Sequence, residues 1–263
     1  TTLTYDPGNG RGTATTVPVL NNAEVTIKTY DKLGYSAPEV AGKEYYFAGW
    51  ATSLADATAG KAAYSDGQTI RVDVNGENVL YATWVKKTEI TLEAKVDTKT
   101  YNGQVQTLEG FKNTTVNGYT VSGLTAKTSG KDAQVYSNTV IEGTPKVVKD
   151  GVDVTDKVVV RTVSGQLTIN PRKVTLTSEK ASKPYDGTAL TKPHVTVTGD
   201  GFVANEVSDI HATGSVTNVS EGEVTNTITF TEGANYKASN YAITKNEGKL
   251  SITAITDEVT VTI

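Results

Sequence analysis

Short runs of alternating apolar and polar residues recur along the chain, separated by Gly, Pro, Asn and Asp. Alternation places every second side chain on the same face of a strand. It puts Val195 and Val197 on one face of the run 195–199, and Leu250 and Ile252 on one face of 248–253. No window of about a dozen residues has the period of about 3.6 that an amphipathic helix requires. The pattern predicts a mainly β protein with little helix.

Residues 1–87 have their own set of predicted strands. A strand at 3–6 leads into the turn-rich run PGNGRG, in which Pro restricts φ and Gly permits the positive φ of tight reversals. Gly, Pro, Asn and Asp also separate the remaining strand candidates, which lie at 23–30, 44–50, 68–74 and 78–84. These residues predict one small β module.

The rest of the chain contains an internal repeat. The run TLEAKVDTKTYNG, which ends two residues after Tyr101, is similar to TLTSEKASKPYDG, which ends two residues after Tyr185. The two tyrosines are 84 residues apart, and each copy closes with a similar strand, GQLTI in one and GKLSI in the other. This period predicts two tandem modules, at 88–171 and 172–256. The pattern of 257–263 is similar to the opening of these modules and predicts the start of a further strand or repeat.

Four aromatic residues are predicted to be structural core residues. In the Tyr-[Asn/Asp]-Gly triplet, Asn or Asp and Gly form a tight turn, so Tyr101 and Tyr185 can be buried as anchors. Trp50 and Trp84 are expected in the core of the first module, because a module this small needs large side chains to bury enough apolar area.

The first module resembles the Listeria–Bacteroides repeat, the B-repeat of internalin-type surface proteins. The resemblance rests on Phe47-Ala-Gly-Trp50 and Leu80-Tyr-Ala-Thr-Trp84, together with the opening Thr-Tyr-Asp strand and its glycine-rich turn. It implies a β-grasp-like fold for 1–87. Insertions around 21–32 and 54–63 depart from the usual spacing of that family.

The second and third modules resemble the YDG and MBG-type repeats of bacterial surface adhesins. In the third module the matching residues are Tyr185-Asp-Gly-Thr-Ala-Leu, Asn240-Tyr and Gly248-Lys-Leu-Ser-Ile. The second module is more diverged, with Tyr101-Asn-Gly in place of Tyr-Asp-Gly. The resemblance implies two related β-sandwich or β-grasp-like repeats. The fold class expected for the whole chain is mainly β, with three tandem small modules in an elongated array.

Composition excludes several classes of partner. The net charge of −4, from 25 basic and 29 acidic residues, leaves no positive stripe for phosphates, so nucleic acid is not expected as a partner. No run is long and apolar enough to span a membrane. The chain has no cysteine and no methionine, which suits an exposed extracellular protein and would equally be tolerated in the cytosol. We expect a monomer.

The sequence contains no recognisable catalytic motif, so we expect no enzymatic activity and no cofactor. His194 and His211 have no patterned carboxylate or cysteine nearby. Two acidic runs could supply oxygen ligands for calcium, one beginning at Asp73 and one formed by Asp150, Asp153 and Asp156. Neither has the distal bidentate Glu of a calcium loop. A hairpin turn and a solvated loop are therefore the favoured interpretations, and no metal site is predicted.

A ligand site is conceivable in the first module, where aromatic side chains are concentrated. Aromatic faces stack on sugars, and strand alternation requires either Tyr45 or Tyr46 to point outward. These two tyrosines are the predicted ligand-binding aromatics, for a glycan or a host protein. An intramolecular Lys-Asn or Thr-Gln cross-link would substitute for the missing disulfides, but no spacing identifies a pair.

The leading hypothesis is a non-catalytic stalk or adhesin segment of a large bacterial protein, located at the cell surface or secreted. The predicted joints at 85–88 and 170–172 are short, so the modules are expected to form a rod that spaces or presents a binding domain. The alternatives are a module that binds glycan or host protein, and an accessory region of a secreted enzyme.

Overall fold

A computed structural model describes residues 1–73, 76–256 and 260–263. The predicted mainly β class is confirmed, and the described helix is confined to short segments. The chain forms two compact units. Unit one comprises Thr1–Glu93, Phe111–Leu124 and Glu142–Val163, and unit two comprises Ala94–Gly110, Thr125–Ile141 and Ser164–Ile263. Residues 88–171 therefore contribute to both units.

The first module lies in unit one and is built on a sheet of order β2-β1-β6-β4, in which β1 and β6 are parallel and the other neighbours antiparallel. A separate antiparallel pair joins β3 and β5. The elements are β1 (Thr2–Asp6), β2 (Thr15–Pro18), β3 (Glu24–Thr26), β4 (Tyr45–Ala51), α1 (Leu54–Thr58), β5 (Thr69–Arg71) and β6 (Asn78–Lys86). The strands predicted at 23–30 and 68–74 are thus shorter than expected, and Val74 lies outside the described residues.

The helix α1 falls within the insertion at 54–63. The side chain of Ser53 caps its N-terminus by accepting a hydrogen bond from the backbone N–H of Asp56 at 3.1 Å. Ala57 is the buried residue of this helix. The insertion is therefore ordered by a cap and one small buried side chain.

Residues 88–171 are divided between the two units, and only two of the strands described in this range have residues in both. The elements are β7 (Thr88–Glu93), β8 (Val96–Thr100), β9 (Gln106–Glu109), β10 (Thr115–Val116), β11 (Tyr119–Gly130), β12 (Val135–Tyr136), β13 (Val140–Lys149), β14 (Val152–Asp153), a 3-10 helix (Thr155–Lys157), β15 (Val158–Val163) and β16 (Gln166–Asn170). In unit one β7 is parallel to β15. In unit two β8 is parallel to β16, and β12 is antiparallel to β16.

The third module lies entirely in unit two. Its elements are β17 (Arg172–Ser178), β18 (Ala181–Pro184), β19 (Leu190–Thr191), β20 (Val195–Gly199), β21 (Val207–Ala212), β22 (Ser215–Val216), a 3-10 helix (Val219–Glu221), β23 (Val224–Thr225), β24 (Ile228–Glu232), a 3-10 helix (Ala238–Asn240), β25 (Tyr241–Asn246) and β26 (Lys249–Thr253). Here β17 is parallel to β25, β18 is parallel to β26, and β23 is antiparallel to β26.

The two repeats therefore have the same pairing. The first strands of each (β7 and β8, or β17 and β18) lie parallel to its last strands (β15 and β16, or β25 and β26), and a short antiparallel strand (β12 or β23) borders the last one. The first module has the same relation between its first strand β1 and its last strand β6. The first and last strands are thus paired in parallel within each of the ranges 1–87, 88–171 and 172–256.

Unit two contains the following apolar clusters among its described residues. The larger combines residues of the second repeat with residues of the third, and its buried members are Tyr101, Leu167, Ile169, Val174, Leu176, Val195, Ala212, Ile228 and Tyr241. The smaller one lies at the far end of the third repeat and consists of Leu190, Val216, Leu250 and Ile252. Val197 follows Val195 on β20 but is 40% exposed, because β20 is at the edge of its sheet. The second and third repeats thus share one core.

Candidate functional site

The most elaborate group of polar side chains in the described structure surrounds Tyr101, immediately after β8. The Tyr101 N–H continues the β8–β16 pairing by donating to the carbonyl of Asn170 at 2.9 Å. Its ring is 2% exposed and meets the ring of Tyr241 edge to face, with centroids 5.8 Å apart. Its hydroxyl donates to the carboxylate of Glu206, which is 4% exposed. A tyrosine of the second repeat is thereby enclosed by residues of the third.

Burial changes the acidity of the phenols in this group. Desolvation is the largest cause, followed by the Glu206 carboxylate, and together they raise the pKa of Tyr101 to about 12. Desolvation also raises the pKa of Tyr241 to about 12, against the opposing effect of the Val203 N–H, which donates to its hydroxyl at 3.1 Å. Both phenols therefore remain protonated well above the pH at which an exposed tyrosine ionises.

Arg172, the first residue of β17, donates hydrogen bonds to backbone carbonyls of both the second and the third repeat. Its Nη1 donates to the carbonyl of Tyr101 at 3.0 Å, and its Nε donates to the carbonyl of Gly201 at 2.9 Å. Its Nη2 donates to the carbonyl of Asp200. One guanidinium thus satisfies three carbonyl groups, two of them in the loop that follows β20.

Asp132, in the loop before β12, also makes polar contacts with the third repeat. It accepts from Lys237 Nζ at 2.8 Å and from Asn240 Nδ2 at 3.1 Å. The Asn240 side chain is fully buried, and its Oδ1 accepts from the Ala133 N–H at 2.7 Å. The Lys237 hydrogen bond and then that of Asn240 lower the pKa of Asp132. We call Tyr101, Asp132, Arg172, Glu206 and Asn240 the joint cluster.

Three of the four predicted core aromatics are buried. Trp50 is fully buried and its Nε1 donates to Asp66 Oδ1 at 3.0 Å; Trp84 is 7% exposed and Tyr101 is 2% exposed. The prediction is wrong for Tyr185, which is 42% exposed. Tyr185 has the same backbone position as Tyr101, because its N–H donates to the carbonyl of Thr253 at 3.0 Å, but no residue corresponding to Glu206 covers its ring in the described structure.

The two predicted ligand-binding tyrosines are both half-buried. Tyr45 packs against the core cluster of the first module. Tyr46 lies under Lys157 Nζ, which is 5.6 Å from the centre of its ring. Tyr45, together with Trp84, also lines a cleft of about 410 Å³. The ligand candidates are thus separated: Tyr46 is partly covered by a cation, and Tyr45 borders an open cleft.

The histidines and acidic runs do not assemble into a recognisable centre. His194 is exposed, and His211 Nδ1 lies 2.9 Å from the carbonyl of Asp209. Asp153 accepts hydrogen bonds from the backbone and side chain of Thr155 inside a turn. Val74 and Asn75, in the run that begins at Asp73, lie outside the described residues. Within the described ranges no group of three or more His, Cys, Asp or Glu side chains is placed to hold a metal ion.

The joint cluster could not be identified from the sequence. Glu206 and Asp132 occur in ordinary loop contexts, and the partners of Glu206, Asp132 and Asn240 are more than a hundred residues away in the chain. Three members had a local signal: Tyr101 as a turn anchor, Arg172 as the residue after Pro171, and Asn240 as part of the Asn240-Tyr motif. None of these signals indicated a shared polar cluster. Contacts between residues so far apart in the chain are determined by tertiary packing, which leaves no local pattern in a single sequence.

The comparisons with known proteins add no family. Neither the family models nor the curated proteins compared with this chain give a match. In the described part of the chain no helix is both long and apolar enough to cross a membrane. The resemblance to B-repeats and to YDG or MBG-type repeats stays a prediction.

Proposed function

We propose that this chain is a load-bearing, non-catalytic segment of a bacterial cell-surface or secreted protein, which spaces or presents a binding domain. The observation that carries the proposal is the parallel pairing of the first and last strands in each module. A stalk must resist tension that reaches each module through its two ends, so those end strands decide its strength.

The direction of the strands determines how tension acts on them. In the third module the pairing of β17 with β25 extends from Arg172 and Tyr241 to Thr177 and Asn246. The pairing of β18 with β26 continues to Pro184 and Thr253. Tension pulls the beginning of the first strand and the end of the last strand in opposite directions. Because the strands are parallel, this tension shears all the hydrogen bonds between them together rather than breaking them one at a time.

Force spectroscopy on the full chain tests this reading. Since the chain has no native cysteine, attachment points can be chosen by substitution. Lys173→Cys with Thr253→Cys loads β17–β25 and β18–β26 in shear. Lys173→Cys with Ala242→Cys pulls apart two residues that face each other in the parallel register, so the same ladder opens from one end. All three positions are exposed, which keeps the substitutions mild.

The expected result is a higher rupture force for the 173/253 pair than for the 173/242 pair at the same loading rate. Shear loads the hydrogen bonds of the ladder together, which raises the barrier to unfolding, and the rate of crossing that barrier sets the rupture force. Equal forces would contradict a load-bearing role. The expected rod is measured separately by small-angle scattering. A compact chain of this length has a radius of gyration of about 18 Å, and a rod requires a clearly larger value.

A second candidate function, binding of a glycan or host protein, is favoured by one observation. The cleft of about 410 Å³ in the first module is lined by Tyr45, Trp84, Pro38 and Lys86, among others. The buried Nε1 of Trp84 has no hydrogen-bond partner within the described structure. A glycan screen comparing the chain with its Tyr45→Ala variant tests it: binding that Tyr45→Ala abolishes supports this function, and the absence of any binding counts against it.

A further inference from the structure

We infer that the end of the third repeat is a docking surface for another repeat of the same class. The surface, which we call the end face, comprises Tyr185 and Val219. This inference rests on the proposed role as part of a tandem array, and it names the partner that such an array requires.

The first step is the equivalence of two strand ends. Tyr101 follows β8 and donates its N–H to Asn170 at the end of β16, and Tyr185 follows β18 and donates its N–H to Thr253 at the end of β26. In each repeat a short strand, β12 or β23, pairs antiparallel with the last strand. The loop before that strand contains Asp132 in the second repeat and the 3-10 helix Val219–Glu221 in the third.

The second step is that the same surface is covered in one repeat and bare in the other. Tyr101 is 2% exposed because β25 and the loop that contains Glu206 pack over it. In the third repeat Tyr185 is 42% exposed and Val219 is 44% exposed. One aromatic and one apolar side chain near β26 thus lack a covering layer in the described structure.

The third step concerns what the covering layer contributes. The third repeat offers the second an acceptor for the tyrosine hydroxyl (Glu206), an arginine for the carbonyl of that tyrosine (Arg172), and an asparagine that binds the loop backbone (Asn240). Tyr185 has a hydroxyl and a carbonyl in the equivalent positions, and the Val219–Glu221 loop has backbone groups to offer. The partner chemistry is therefore a β module that begins as the third repeat does.

The apolar cores indicate the same partner. The larger cluster of unit two contains Leu167 and Ile169 of β16 together with Val174 and Leu176 of β17, so a repeat of this class completes its core against the preceding one. The equivalent residues on β26, Leu250 and Ile252, belong only to the small cluster at the far end. A following module would extend that small cluster in the same way, which continues an interface that unit two already contains.

The test adds residues 171–253 a second time, directly after Thr253, to give an extended chain. Pro171 then follows Thr253 as it follows Asn170, which keeps the spacing of the existing joint. The added copy carries Tyr185→Phe, so that its peptide differs in mass from that of the original Tyr185. Hydroxyl-radical footprinting with mass spectrometry measures the oxidation of Tyr185 and Tyr101 in the parent and the extended chain.

The expected result is that Tyr185 is oxidised readily in the parent and is protected in the extended chain to the level of Tyr101, in line with exposures of 42% and 2%. Tyr185→Ala in the original copy should lower the melting temperature of the extended chain and leave that of the parent unchanged. Tyr101→Ala should lower both.

Three outcomes would overturn the inference. Tyr185 could keep its parental oxidation beside a folded added copy. The added copy could fail to fold, which would mean that it cannot pack on the end face as the third repeat packs on the surface around Tyr101. Protection of Tyr185 in the parent at rising protein concentration would identify a second copy of the chain as the occupant. The force measurement uses the parent chain alone, so failure here leaves the load-bearing proposal to its own test.

Discussion

The hydroxyl of Tyr101 lies 3.0 and 3.1 Å from the two carboxylate oxygens of Glu206, 105 residues further along the chain. Both residues are nearly fully buried. Burying a carboxylate costs free energy unless hydrogen-bond donors satisfy it. The Tyr101 hydroxyl therefore stabilises the buried Glu206 side chain, and Glu206 holds the Tyr101 ring in place. The contact couples the second repeat to the third.

Tyr101→Phe should therefore destabilise the protein by roughly 1.5–3 kcal/mol, the usual contribution of a hydrogen bond to a charged group, because the ring is kept and only the donor is lost. Tyr185→Phe is the matched control, since Tyr185 follows the equivalent strand but is 42% exposed. Its effect should stay within about 0.5 kcal/mol. Chemical denaturation of both variants measures the difference. Equal effects would show that the Glu206 contact contributes nothing.

Alkaline pH should weaken unit two. The pKa of Tyr101 and that of Tyr241 are each raised to about 12 by burial first, whereas an unfolded tyrosine ionises near pH 10. A raised folded pKa gives stability that is complete below about pH 10 and is lost as pH rises through about 12. Each phenol accounts for about 2 to 3 kcal/mol of that loss. Denaturation midpoints measured between about pH 9 and 12 should fall, and Tyr101→Phe should flatten the fall. An unchanged slope in that variant would contradict the assignment.

Sequence patterns predicted the elements whose residues depend on their near neighbours. Alternation placed Leu250 and Ile252 on one buried face, and both are at most 5% exposed. The helix α1 was missed inside an insertion, although Ser53 followed three residues later by Asp56 matches the Ser/Thr-x-x-Asp/Glu pattern of a helix start. The capping signal was present in the sequence, but a helix of five residues is too short to show the hydrophobic period that predicts a helix.

The error at Tyr185 has a different cause. Its local sequence and its backbone hydrogen bond match those of Tyr101, so no local pattern could separate the two residues. What separates them is whether another module packs above the ring, and that depends on position in the array. The joint cluster escaped prediction for the same reason, because its contacts join loops that are distant in the chain.

The core of the first module offers a direct measure of its stability. Trp50 is fully buried, its ring contacts Tyr5 and Phe47 edge to face, and its Nε1 donates to Asp66. Trp50→Ala should cost about 3 to 5 kcal/mol, enough to unfold a small module. Leu20→Ala, at a position that is 81% exposed, is the control and should be nearly neutral. A Trp50→Ala variant that melts like the parent would favour a ligand platform over a core role.

Calcium should leave thermal stability unchanged. A ligand that binds only the folded state raises the melting temperature by mass action, so a site at Asp150, Asp153 and Asp156 would be detected with excess calcium and reversed with a chelator. Asp153 already accepts from Thr155, whose side-chain hydrogen bond lowers the pKa of that carboxyl. We expect the same melting temperature in both conditions. A calcium-dependent rise that Asp153→Asn removes would establish a site that the sequence analysis set aside.

Substituting two glycines of unit one by alanine distinguishes the cost of a left-handed backbone from the cost of a steric clash. Gly143, on β13, has a φ of 102°, and a Cβ there would overlap the carbonyl oxygen of Gly123. Gly151 has a φ of 77°, but a Cβ would meet no atom within 4 Å. Gly151→Ala should cost about 1 to 2 kcal/mol, the price of a left-handed conformation alone. Gly143→Ala should cost a further 1 to 3 kcal/mol or so, because the strands β11 and β13 must also move apart. Denaturation of the two single variants gives the comparison, and similar losses would mean that the strand contact at Gly123 yields without strain.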